Sequence, residues 1–163
     1  MSVFNVHERV LAASTSQVGA LIDTLGSRDD LLWPRHGWPP MTFDQPLSPG
    51  AKGGHGPVRY TVTTYIPSTW ARFTFRAPHG FDGFHEFTVL PLDKERTVLR
   101  HTLAMDARGT ARLTWPVAWR PLHDACLEDS LDRAELACTG TVKRPARWSP
   151  YVRLLRTRVH SAR

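Results

Sequence analysis

Three histidines, His85, His101 and His123, stand where sheet alternation or a helical stripe would carry their rings into one interior. Imidazole titrates near neutral pH and is the usual group for moving protons there. Residues 85–89 and 99–105 alternate, which puts His85, Phe87 and Val89 on one face and Leu99, His101, Leu103 and Met105 on the matching face of the next segment. With Phe87 opposite His101, His85 lies diagonal to His101 at about 7–8 Å between backbones, within side-chain reach. Tyr60 shares the inward parity of its own segment, and Glu8 falls on the apolar face of the first. The candidate acid–base residues are therefore His85, His101 and His123. The candidate ligand contacts add Glu8, Tyr60, Phe73, Phe75, Phe87, Leu103, Trp115 and Trp119. The same side chains also suit a plain packed interior, because aromatic groups on a dry sheet face serve either use.

Other chemistries find less in the chain. His85, His101 and Glu8 would offer three ligands to zinc, but no local spacing such as HExxH supports a site, so no metal and no cofactor is expected. The segment Ser48–Pro57, SPGAKGGHGP, lacks the GK[ST] ending of a phosphate-binding loop and reads as a mobile connection. His123 and Asp124 are sequence neighbours, which point about 100° apart on a helix and so do not face each other. Asp124, Glu128, Asp132 and Glu135 read as a solvated helix face with ion pairs such as Arg120 to Asp124. Cys126 and Cys138 have no base placed beside them by sequence and read as packing residues.

The elements that must position these groups are legible from period. Residues 119–139, WRPLHDACLEDSLDRAELACT, form the best helix. Pro121 suits a first turn and Gly140 a left-handed cap. His123, Leu127, Leu131, Ala134 and Cys138 make its apolar stripe, with Leu122 and Cys126 beside it. Residues 3–10 alternate as a first strand with Phe4, Val6 and Val10 inward. Ser14-Thr15-Ser16 caps a helix over Gln17–Leu25, and Asp29–Trp33 suggests one more helical turn before Pro34. Met41–Leu47 reads as a short strand. From Val58 the period is two: Val58, Tyr60, Val62, Thr64 and Ile66 face in, then Ala71, Phe73 and Phe75 after a turn at 67–70. Pairing 66 with 71, 64 with 73 and 62 with 75 aligns those sets. Leu113 and Trp115 share a face of a last segment before the helix. The expected architecture is α+β, an antiparallel meander with one dry face covered by a long C-terminal helix.

Length and charge set the bounds. A chain of 163 residues suits one domain. The net charge is +6, but residues 141–163 hold seven basic side chains and no acid, leaving 14 basic against 15 acidic in the rest. The body is thus near neutral and is not a specific nucleic-acid binder. The expected division is a domain over 1–140 and a basic amphipathic tail over 141–163. From Tyr151, a helix would set Tyr151, Val152, Leu154, Leu155 and Val159 against Arg153, Arg156, His160 and Arg163, with Arg158 interrupting the apolar side. Such a tail can attach to an anionic membrane surface, pack on the domain or touch phosphates. Twelve helical residues hold Cys126 and Cys138 about 18 Å apart, too far for a disulfide, and free thiols suit the cytoplasm. The first residues lack the pattern of a signal peptide, and no run reaches the ~20 apolar residues of a membrane span.

The order of elements, with the text GPVRYTV at 56–62, WARFTF at 70–75, GFHEF at 83–87, TVLRHTL at 97–103 and WRPLHDACLEDSLDRAE at 119–135, resembles the SRPBCC superfamily of START, Bet v 1 and polyketide-cyclase-like proteins, in particular uncharacterised bacterial members. The resemblance spans residues 3–138 and rests on topology and helix text. It implies a helix-grip fold, a curved antiparallel sheet wrapped around the long helix, with two short helices after strand 1. It also implies a cavity for a hydrophobic or aromatic small molecule. Members include lipid and hormone binders as well as cyclases, aromatases and dehydratase-type enzymes, so the architecture leaves the chemistry open.

Overall fold

In a computed structural model, residues 1–161 are described, with side chains through Thr157. The strands are β1 (Ser2–Leu11), β2 (Thr42–Phe43), β3 (Lys52–His55), β4 (Val58–Ile66), β5 (Trp70–Ala77), β6 (Phe81–Pro91) and β7 (Thr97–Ala107). They form one antiparallel sheet in the order β1-β7-β6-β5-β4-β3-β2. Helix α1 (Thr15–Asp23) follows β1, and the chain is helical from 111 to 139 as α2 (Ala111–Thr114), a π turn (Trp115–Trp119) and α3 (Arg120–Thr139). Helix α4 (Pro150–Ser161) closes the described chain. The sheet curves around the long helix as a helix grip. Irregular pairing at Arg59/Tyr60 and Val62/Thr64 gives β4 the bulges that bend a sheet.

Alternation over β5, β6 and β7 has the expected effect. Phe73, Phe87, Leu99, Leu103 and His101 are all buried on the inner face of the sheet. Phe87 pairs with His101, as parity requires. Ser14 makes the capping box with Gln17 at the start of α1. Asp23, at the other end of α1, accepts from Ser68 N, Ser68 Oγ and Tyr65 Oη at 2.6–2.8 Å. That carboxylate holds Ser68 in a left-handed conformation, φ 54°, and ties α1 to the β4–β5 turn.

Five expectations need correction. Strand β1 has the opposite parity: Phe4, Val6, Glu8 and Val10 face outward, while Asn5, His7 and Arg9 face the long helix. Glu8 pairs with Arg100 on the outer surface, so it lines no interior. The cause is the acidic stripe of α3, which offers β1 carboxylates where an apolar face was expected. One step of two strand residues is about 6.6 Å and one of four helical residues is about 6.0 Å. Hence Asn5, His7 and Arg9 climb in step with Asp124, Glu128 and Asp132. These acids are ion-paired against the sheet and do not form a solvated face.

The long helix begins earlier than its periodic stretch. Residues 113–115 are helical, with Leu113 75% exposed. Pro121 therefore lies inside a helix. The π turn before it lets Arg120 N donate to Trp115 O, and the carbonyl of Val117, which Pro121 cannot serve, accepts from Tyr151 Oη at 2.5 Å. Next, β1 is followed by one regular helix. Residues 29–33 form turns in which buried Asp30 accepts from the backbone of Gly26, Leu32 and Trp33. Finally, the segment 48–57 contains β3. A Cβ on Gly53 would sit 2.2 Å from Thr42 O, so glycine lets β2 and β3 approach. The β4–β5 register is shifted by the bulge to Val62 opposite Phe73 and Tyr60 opposite Phe75, and Ile66 is exposed.

The segment after Gly140 packs on the domain. Asp132 accepts from Ala146 N, and Asp129 accepts from both Trp38 Nε1 at 2.7 Å and Trp148 Nε1 at 2.9 Å. Val152 is buried, and the Arg156 guanidinium lies over the rings of Trp38 and Trp148 and donates to Gly37 O. The side chains of Arg158, Val159 and His160, and all of Arg163, lie outside the described residues. No helix of the described residues is long and apolar enough to cross a membrane.

Candidate functional site

Between the sheet and the long helix lies a cavity of about 320 Å³. Phe75, Phe81, Trp115 and Trp119 form one aromatic wall, and Trp33 and Trp38, from the connection after α1, form another. Val58, Leu103, Leu122 and Leu127 complete an apolar lining, and Arg156 reaches its edge from α4. His55, His85, His101 and His123 contribute the ring nitrogens. A wider and more polar groove of about 870 Å³ lies along β2–β4 near Lys52, Arg59 and Arg76 and shares His55 with the cavity. The smaller space has the makings of a ligand site, because it is apolar with a few convergent polar groups.

Of the residues expected at a site, His85, His101, His123, Phe75, Leu103, Trp115 and Trp119 line the cavity. Tyr60, Phe73 and Phe87 are fully buried one layer behind, against the imidazoles. Phe73 stacks on His85 at 5.0 Å, Phe87 meets His101 edge-on at 4.8 Å, and Tyr60 meets His85 edge-on at 4.9 Å. Glu8 is on the opposite face of the sheet. His55, Trp33 and Trp38 also line the cavity, and no sequence period marks them. His55 ends a four-residue strand with two glycines, too short to show a period, and the tryptophans sit in an irregular stretch. Their only signal is three aromatic or imidazole rings crowded among prolines at 33–40.

The histidines form a connected series. His85 Nδ1 and His101 Nε2 are 3.2 Å apart. The His101 ring is 5.2 Å from His123, and His123 is 5.9 Å from His7 on β1. At the other end His55 Nδ1 lies 3.3 Å from Tyr60 Oη, and its ring is 4.5 Å from Trp33. Burial first, then the neighbouring imidazoles, holds His85 and His101 well below the ordinary histidine value. Burial, helped by His123 and Arg59, lowers His55 to about 3. These rings are neutral at pH 7.

His7 differs. Burial lowers its pKa, but hydrogen bonds to Asp124 at 3.1 Å and Glu128 at 2.7 Å outweigh burial and raise it. His123 stays lowered, with burial dominant over its bond to Asp124. His123 Nδ1 comes within 3.5 Å of Asp124 Oδ1, so these neighbours do converge, because both turn toward His7. Burial opposes ionisation of Asp124, yet its bonds to His123 and His7 hold it well below the usual carboxylate range.

The neutral His85–His101 pair has a definite chemical capability. One ring must donate to the other, so one outer nitrogen carries a proton and the other a lone pair. When the outer lone pair takes up a proton, the shared proton crosses the pair and the other outer nitrogen releases its own, so the two roles are exchanged. The outer nitrogens, His85 Nε2 and His101 Nδ1, have no partner among the described residues, nor does His123 Nε2. Burial pushes the Cys126 thiol far above its ordinary value, which removes it as a nucleophile.

Comparison by sequence matches no known family and no characterised relative. By structure the chain is similar to a protein from Thermobifida fusca solved by NMR, with a TM-score of 0.63, 17% identity, and coverage of 90% of this chain and 99% of that one. It is similar to norcoclaurine synthase from Thalictrum flavum, solved in complex with dopamine and hydroxybenzaldehyde, with a TM-score of 0.61, 13% identity, and coverage of 83% and 85%. CalU16 from Micromonospora echinospora matches with a TM-score of 0.57, 12% identity, and coverage of 99% and 86%. At these identities the likeness is one of fold, the helix grip.

Proposed function

We propose that this protein binds a hydrophobic or aromatic small molecule in the cavity between the sheet and the long helix. The observation that carries this reading is the apolar space between sheet and helix into which four imidazoles converge. Its size lies at the low end of ligand cavities, about 300–1,000 Å³, which suits a molecule of one or two rings. The similar norcoclaurine synthase structure holds dopamine and hydroxybenzaldehyde, ring compounds of that scale, within the same fold. Mass spectrometry of small molecules released from the purified chain tests the reading. Leu103→Phe, which fills the space from its floor, is expected to lose the bound compound while the thermal midpoint holds. Equal content in both proteins, or none in either after exposure to a panel of aromatic compounds, overturns it.

The neutral His85–His101 pair favours a second reading, an enzyme of cyclase, aromatase or dehydratase type. The pair would withdraw a proton at one nitrogen and return one at the other, the exchange that enolisation and dehydration require. His101→Gln would then abolish turnover of a bound substrate and leave its binding within a few-fold. A cytoplasmic location belongs to the same proposal, and both cysteines are free in the fold. Attachment of residues 141–163 to an anionic surface is the weakest reading, because Val152 and Arg156 are engaged on the domain. Cosedimentation of the intact chain with phosphatidylserine vesicles tests it, and absence of binding ends it.

A further inference from the structure

We propose that Asn5, His7, His123 and Asp124 form a binding site for a divalent transition-metal ion, at the junction of β1 and α3 just behind the cavity wall. The proposal concerns a ligand separate from any occupant of the cavity and does not depend on one. His7, His123 and Asp124 each bring one ligand atom to within 4.8 Å of the other two. His7 Nε2 is 3.1 Å from Asp124 Oδ1, and His123 Nδ1 is 3.5 Å from the same oxygen. Ligand atoms around a tetrahedral ion bound at about 2.0–2.1 Å are separated by roughly these distances. Adjacent helical residues seldom chelate together. Here they can, because Nδ1 of His123 and Oδ1 of Asp124 are both bonded to Cγ and both turn toward the strand.

Three further observations point to an ion. Asp124 Oδ1 is crowded by His7, by His123 and by Asn5 Nδ2 at 3.0 Å, while the buried Oδ1 of Asn5 has no partner among the described residues. Turning that amide over places its oxygen where a fourth ligand would sit. His7 Nδ1 is held by Glu128 at 2.7 Å, the carboxylate–histidine arrangement that orients a metal-bound imidazole. Charge also fits. Asp124, Glu128, Asp132 and Glu135 face two guanidiniums, Arg9 and Arg120, so an ion that takes the place of the His7 proton meets two uncompensated negative charges. Two imidazoles, a carboxylate and an amide oxygen suit Zn²⁺, Co²⁺ or Fe²⁺ over Ca²⁺ or Mg²⁺, which prefer all-oxygen sites.

Titration of the intact chain with Co²⁺, followed by visible absorption and displacement by Zn²⁺, is the test. The expected result is one saturable site with ligand-field bands of an imidazole–carboxylate centre and no thiolate charge-transfer band. Asp124→Asn and His7→Gln are expected to remove it, and Glu128→Gln to weaken it 10–100-fold. No saturable site in the unaltered protein overturns the proposal. So does a thiolate band, which would place the ion at Cys126 or Cys138, or undiminished binding in folded Asp124→Asn. Because the absorption bands of the unaltered protein already separate these outcomes, a variant that fails to fold leaves the test intact.

Discussion

His85 Nδ1 lies 3.2 Å from His101 Nε2, both rings buried and both neutral, so each is the other's only described hydrogen-bonding partner. Removing one ring therefore orphans a buried nitrogen. His101→Phe is expected to cost about 1–3 kcal/mol, the penalty of an unsatisfied buried polar group. For a domain of this size that lowers the melting midpoint by roughly 2–4 °C per kcal/mol. Replacing both, His85→Leu with His101→Leu, is expected to recover much of the loss, since two apolar partners of similar shape leave nothing unpaired. Calorimetry of the two single variants and the double variant measures the coupling. Strict additivity would show that the pair is not bonded in solution.

Stability is expected to fall on mild acidification. His55, His85 and His101 have folded values below 6.5, His55 at about 3, so the unfolded chain binds more protons below pH 6.5. Their contribution is complete above that pH and is lost as pH drops toward each folded value, at up to about 1.4 kcal/mol per pH unit for each ring. His7 runs the other way. Its raised value makes its contribution complete below 6.5, and that contribution is lost as pH rises through the folded value. Asp124 is depressed, so its share persists above the unfolded value of 3.8 and does not offset the histidines between pH 6.5 and 4.5. Urea midpoints at pH 7 and pH 5 read the difference, and equal midpoints would contradict neutral buried imidazoles.

Arg9 holds Glu128, Asp132 and Glu135 together against β1, with 18% of its side chain exposed. Arg9→Met removes the guanidinium that three carboxylates share and is expected to destabilise by about 2–4 kcal/mol, near the range for breaking a buried ion pair. Lysine cannot reproduce the forked contacts and is expected to recover only part of the loss. Denaturant unfolding of the two variants decides, and a loss for Arg9→Met under about 0.5 kcal/mol would mark the ladder as ornamental surface charge.

Tyr151 joins the C-terminal helix to the one carbonyl of the long helix that Pro121 leaves unserved. Tyr151→Phe is expected to cost about 0.5–1.5 kcal/mol, felt as faster amide exchange over 150–161 with the rest of the chain unchanged. Exchange that is unaltered there would show that the hydroxyl contact is not made in solution.

Much of this molecule is legible in the order of residues. Alternation at 71–75, 85–89 and 99–105 is enough to bury Phe73, Phe87 and His101 together, because a strand's period assigns every second side chain to one face. The helical stripe through His123, Leu127 and Leu131 names the element that covers them. What period cannot say is which face of a strand meets which face of a helix. On β1 the apolar set Phe4, Val6 and Val10 lies outside, since the acids of α3 match Asn5, His7 and Arg9 in spacing and charge. His7, His55 and Trp38 come to the site from residues far apart in sequence, through contacts that no local pattern encodes. Local chemistry thus determined the elements and their faces, and only the packing of one element on another decided which polar groups meet.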